Sequence, residues 1–140
     1  MTARNINAFA GGWRISRVIT DRRAGTMGRF DGRADLRADP AGGLIWEETG
    51  QLRLGDGPVL SATRRYLWQG QGARITVLFE DGRYFHDFDP SGAGAQAHHD
   101  CPPDVYDVVY DFADWPRWRC TWEVRGPRKD YRMESLHQPG

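Results

Sequence analysis

Lysine is almost missing from this chain of 140 residues: Lys129 is the only one, and every other basic residue is arginine. The 19 basic side chains are cancelled by 19 acidic ones, and no basic run breaks the balance. A neutral chain of this kind is a poor partner for nucleic acid or for an anionic membrane surface. Cysteine is scarce as well. Cys101 and Cys120 are too few for the disulfide framework of a small secreted domain. No apolar run reaches the roughly 20 residues of a membrane-spanning helix. Met1 to Ala10 lacks the basic start and apolar core of a signal peptide. No internal repeat is visible, which argues against a propeller. These absences predict one soluble, cytoplasmic, bacterial-type domain spanning residues 1–140, a monomer or homodimer without membrane insertion. The arginine bias fits a GC-rich genome. It also leaves open that some guanidinium groups face inward to hold an anion.

Aromatic residues are plentiful: six Trp, five Tyr and six Phe. They recur on alternating positions of short segments divided by Gly, Pro and Asp. Asn5 to Gly12 reads as a helical turn capped by Asn5 and anchored by Phe9. Trp13 to Thr20 follows as a strand with blurred alternation. Met27 to Ala38 puts Phe30, Gly32, Ala34 and Leu36 on one face, and its glycine suggests a bend or a close backbone approach. Leu44 to Leu54, Ser61 to Gln69, Arg74 to Phe79 and Tyr84 to Phe88 read as further strands. Asp81-Gly82 is a hairpin signal for a two-residue turn of positive φ. In phase with that turn, Tyr84, His86 and Phe88 share one face, opposite Phe85 and Asp87.

The most informative stretch runs from His98 to Phe112. Pro102-Pro103 divides it into a short strand and a longer one, on which Tyr106, Val108, Tyr110 and Phe112 alternate with Asp107 and Asp111. Arg117 to Arg125 places Trp118, Cys120, Trp122 and Val124 together, and Tyr131, Met133 and Ser135 belong to a last strand. About ten short strands with short connections predict an all-β fold, an antiparallel up-and-down barrel with one short N-terminal helical turn.

Three functional readings follow. In the first, the barrel binds a small apolar or amphipathic ligand with an acidic or phenolic group. Its lining and anchors are then Arg64, Tyr66, Tyr84, His86, His99, Cys101, Tyr106, Tyr110, Trp118 and Trp122. Glu48, in phase with Trp46, is a partner for Arg64. In the second, His86, His99, Cys101 and Asp104 converge as a metal or heme site or an enzyme centre. Zinc asks for three or four such ligands, and Cys101 as a nucleophile asks for His99 or His86 beside it. On a strand, His99 and Cys101 share a face while His98 and Asp100 take the other. His137 is a late histidine, three residues from the end, where a chain usually frays. In the third, the aromatics are all consumed in core packing. The loop Ser91 to Gly94 lacks the spacing of a phosphate cradle and reads as a lip over the barrel mouth. No nucleophile elbow is present, so binding is favoured over catalysis, and no cofactor is assigned.

Gly11-Gly12-Trp13 after a helical turn resembles the G-x-W opening of lipocalins and other calycins. That likeness implies that the turn plugs the barrel floor and that Trp13 meets a late basic side chain, Arg125, Arg128 or Arg132. Arg64 with Tyr66 loosely resembles the Arg-x-Tyr carboxylate clamp of fatty-acid-binding barrels. The whole chain is similar to an uncharacterised bacterial family of calycin-like proteins. The residues that carry this likeness are Asp81-Gly82-Arg83, His99-x-Cys101-x-x-Asp104-x-Tyr106 and Gly126-Pro127-x-Lys129-Asp130-Tyr131. The resemblance implies an enclosed small ligand and no particular reaction.

Overall fold

A computed structural model describes residues 3–140. A 3-10 turn, Ile6–Phe9, precedes ten strands: β1 (Gly11–Asp21), β2 (Thr26–Ala38), β3 (Leu44–Leu54), β4 (Val59–Gln71), β5 (Arg74–Phe79), β6 (Tyr84–Phe88), β7 (Gly94–Cys101), β8 (Asp104–Asp111), β9 (Trp118–Arg125) and β10 (Asp130–Pro139). They form one antiparallel sheet in the order β6-β5-β4-β3-β2-β1-β10-β9-β8-β7. Each strand thus pairs with its sequence neighbour, β1 also pairs with β10, and only β6 and β7 meet without a hydrogen-bonded ladder. The fold is a nearly closed up-and-down barrel with a single seam. Pro102-Pro103 turns a hairpin between two strands of equal length, so the segment before it is not the short strand expected.

The sheet curls because it bends where side chains are missing. Gly32 on β2 lies opposite Gly50 on β3. A Cβ on either would come within 2.9 or 2.7 Å of the Phe30 ring and closer still to the partner backbone. The ring lies over the bare backbone, with the Arg17 guanidinium 5.0 Å from its centroid. Glycine in these strands is therefore a packing requirement.

One end is plugged. The Asn5 side chain accepts from the Asn7 amide and starts the 3-10 turn. The turn delivers Phe9, fully buried, against Trp68, Phe112, Trp115 and Trp118 at 5.0–5.9 Å between ring centroids. Trp13 follows, its indole Nε1 donating to the Phe9 carbonyl at 2.9 Å. Its ring neighbours are Trp115 and Trp118, and not Arg125, Arg128 or Arg132 as the calycin likeness implied. Those arginines belong to the far end of β9 and β10, since Trp13 pairs with Pro139 while Thr20 pairs with Arg132. The basic group at the floor is Arg4, whose guanidinium covers Phe112 and Trp115 at 4.7 and 4.6 Å. Arg4 also donates to the carbonyls of Pro90 and Gly92. That ties the Gly-rich loop to the closed end, so it is not a lip over the mouth.

Candidate functional site

The inward faces of β2, β4, β8 and β9 follow the alternation expected of them. β4 turns Arg64, Tyr66 and Trp68 inward, and β8 buries Val108 and Tyr110. β9 contributes Trp118, Cys120 and Trp122. β6 departs from it. The hairpin before it is a three-residue loop: Phe79 bonds Arg83, and only Gly82, at φ +89°, has positive φ. A two-residue turn would have needed positive φ at Asp81 as well. The altered start is followed by a bulge, in which Val77 pairs with His86 but Leu78 with Tyr84, leaving Phe85 extra. Phe85, His86 and Phe88 all point inward as a result, and Tyr84 points out, 50% exposed and bonded to Asp87.

The rings fill the floor half of the barrel and leave a chamber of about 50 Å³ at mid-depth. One wall is a buried ion pair. Arg17 on β1 donates from both terminal nitrogens to Glu48 at 2.8 and 2.9 Å, and from Nε to Ser135 Oγ at 2.7 Å. Glu48 therefore pairs with Arg17 and not with Arg64, its cross-strand neighbour. The opposite wall holds His86, whose Nε2 lies 2.7 Å from the Tyr110 hydroxyl, with Cys120 next in line. Burial lowers the His86 pKa to about 4 and pushes the Cys120 thiol up to about 12. The Tyr110 hydroxyl is held well above its usual value by the same desolvation. His137, far from fraying, is 2% exposed and stacks on Trp118 at 3.7 Å. Its Nδ1 faces the Trp118 carbonyl at 3.2 Å; a carbonyl only accepts, so Nδ1 carries the proton. Burial, with Arg17 nearby, lowers the His137 pKa to about 3.

Above the chamber lies a wider basin of about 620 Å³, lined by Arg64, Arg65, Tyr66, Phe79, Tyr106, Trp122, Lys129 and Tyr131 among others. Arg64, Tyr66 and Trp122 border both spaces and form the neck. Most cations of the basin are spoken for: Arg65 by Glu47, Arg83 by Asp81, Lys129 by Asp104. Arg64 pairs with no carboxylate among the described residues and donates only to the Tyr66 hydroxyl, at 3.1 Å. Burial pushes the Tyr66 pKa to about 12, against the pull of Arg64, so the phenol stays protonated.

Of the ten residues singled out from sequence, the structure brings Arg64, Tyr66, His86, Tyr110, Trp118 and Trp122 to the chamber and Tyr106 to the basin. Tyr84, His99 and Cys101 line neither. His99 closes the β6–β7 seam, its ring 5.6–6.2 Å from Phe79, Tyr84, Phe85 and Tyr106. Cys101 sits at the hairpin end of β7, opposite Asp104, which is held by Lys129 at 3.1 Å. His86, His99, Cys101 and Asp104 do not converge, and among the described residues no three His, Cys, Asp or Glu side chains gather as a metal site. Sequence reasoning missed Arg17 and His137. Both lie in phase with inward neighbours, Arg17 after Trp13 and Ile15, and His137 after Met133 and Ser135.

Among solved structures the chain is similar to an S-type phycobiliprotein lyase, CPES, from Guillardia theta. The TM-score is 0.60 at 11% identity, covering 94% of this chain and 87% of that one. It is also similar to a protein of unknown function from the DUF3598 family of Nostoc punctiforme, with a TM-score of 0.57 at 10% identity. That match covers 98% of this chain but only 49% of the other. At such identities the likeness is one of fold alone. No curated protein matches the chain in sequence. Residues 9–139 match a family of unknown function, DUF6314, and the chain belongs to that family.

Proposed function

We propose that this protein binds a small amphipathic anion, with the aromatic or apolar body of the ligand in the basin and its acidic group on Arg64 and Tyr66. The observation that carries the reading is the state of Arg64. It is a guanidinium at the neck of a ring-lined cavity, without a carboxylate partner among the described residues, beside a phenol that accepts its hydrogen bond and keeps a proton of its own to give. A carboxylate matches that pair in charge and in geometry. The basin is of the size that small-molecule sites usually have, and its tyrosine and tryptophan rings suit a flat ligand body.

The test is calorimetric titration with 2-naphthoate, alongside quenching of tryptophan fluorescence as Trp122 is covered. Loss of a charge-assisted hydrogen bond weakens binding about 10- to 100-fold, the effect expected for Arg64→Met. Arg83→Met, at the rim and paired with Asp81, changes affinity less than about twofold. Equal affinities for wild type and Arg64→Met would sink the reading.

A further inference from the structure

We propose that Arg17 is a positioning residue for the anion site: it occupies Glu48, which would otherwise claim the Arg64 guanidinium or repel the ligand's acid. The inference rests on the anion-binding reading of Arg64, and it adds the residue that keeps that cation unpaired.

Glu48 and Arg64 face each other across β3 and β4, and both side chains line the small chamber below the neck, as Arg17 does. Opposite charges at facing positions of an antiparallel pair ordinarily interact. Here they do not pair. Glu48 is 4% exposed and accepts from both terminal nitrogens of Arg17, at 2.8 and 2.9 Å, although β1 lies beyond β2 from it. The inward positions of β2 along this crossing are Gly32 and Ala34, so no long side chain stands in the way. Arg17 is fixed from two further sides, by Ser135 Oγ at 2.7 Å and by the Phe30 ring at 5.0 Å. A forked guanidinium–carboxylate pair is the strong form of this contact. With the carboxylate across from it already matched, Arg64 donates to the Tyr66 hydroxyl instead.

Charge gives the pairing its consequence. Arg17 and Glu48 cancel, so the three side chains together carry one positive charge, and it stands at the neck on Arg64. Without Arg17 the sum is zero. Arg64 then turns down onto the stranded buried carboxylate, which gains from any cation in reach. If Arg64 keeps its place, the incoming acid meets a negative charge close behind the positive one. Both routes weaken binding, and removing Glu48 as well reverses both.

The test is calorimetric titration of 2-naphthoate into the full chain. Arg17→Met should bind about 10- to 100-fold more weakly, as Arg64→Met does, although Arg17 borders the chamber and not the basin. Arg17→Met with Glu48→Leu should recover most of that loss, since Arg64 is again the one uncancelled charge. Glu48→Gln separates charge from structure. It keeps the shape and leaves Arg17 and Arg64 both positive, so it should bind about tenfold more tightly than wild type. A pair that served only the fold would give weaker or unchanged binding there. Should Arg17→Met fail to fold, Glu48→Gln alone decides. If Arg64→Met loses affinity while Arg17→Met or Glu48→Gln matches wild type, the role of Arg17 is overturned and the Arg64 reading survives. If Arg64→Met itself matches wild type, that reading fails and the role of Arg17 falls with it.

Discussion

Two histidines locked neutral inside the barrel make its stability depend on acidity well before its carboxylates titrate. Burial holds the His86 pKa near 4 and the His137 pKa near 3, against about 6.5 for an unfolded chain. Both values are depressed, so between about pH 6.5 and 4 the unfolded chain binds more protons than the folded one. Stability is then full above pH 6.5 and declines as pH falls. Each histidine contributes a slope of about 1.4 kcal/mol per pH unit, and the pair removes about 5 kcal/mol between pH 7.5 and 4.5. That loss rivals the entire stability of an ordinary domain, roughly 5–15 kcal/mol. The carboxylates with depressed values, such as Asp35 and Asp87, give up their share only below this window. His98, exposed between Asp100 and Asp107, is shifted upward and works weakly in the opposite sense.

The measurement is urea unfolding followed by tryptophan fluorescence at pH 7.5, 6.5, 5.5 and 4.5, for wild type and for His137→Phe. Phenylalanine retains the stack on Trp118 and cannot be protonated. The slope of stability against pH in His137→Phe should be shallower than wild type by about 1.4 kcal/mol per unit, whatever its absolute stability. A wild-type stability that stays level from pH 6.5 to 4.5 would refute the reasoning. A variant that declines in parallel with wild type would refute it for His137.

Two further predictions concern the framework. Removing one member of the buried pair, as in Arg17→Met, strands Glu48 and should cost about 3–5 kcal/mol, while Arg17→Met with Glu48→Leu recovers most of it; thermal melts of the three proteins decide. Truncating the plug, Phe9→Ala, should cost about 3–5 kcal/mol by denaturant unfolding, since the ring is fully buried among four others.

The barrel was legible in the sequence because alternation and short turns are local signals. Met27 to Ala38 and Trp118 to Val124 show their inward faces without ambiguity, and the strand count follows from the turn residues. The misplaced residues trace to features that alternation does not encode. Asp81-Gly82 fits a three-residue loop as well as a two-residue turn, and a single bulge at Phe85 turns Tyr84 out and Phe85 in while His86 and Phe88 keep their side. Arg17 is not legible as an interior residue because a charged side chain in a blurred strand looks like solvent-facing surface. Its place inside depends on Glu48, 31 residues away. His137 looked like a frayed end because nothing local reveals that β1 and β10 pair up to Trp13 and Pro139. Closure of the barrel pins the terminus, and closure is a long-range fact.

The same closure explains why the barrel is filled at one end and open at the other. The 3-10 turn, Trp13, Trp68, Trp115 and Trp118 pack the floor so completely that only the chamber remains above them. A barrel whose aromatics served stability alone would place its polar groups in satisfied pairs throughout, as Arg17, Glu48 and Ser135 do. Arg64 breaks that pattern at the neck, and Trp118 Nε1 and His86 Nδ1 break it below. A buried nitrogen without a partner is retained at a cost in stability, whereas Arg64, exposed at the neck and without a carboxylate partner among the described residues, keeps its charge hydrated until an anion takes it.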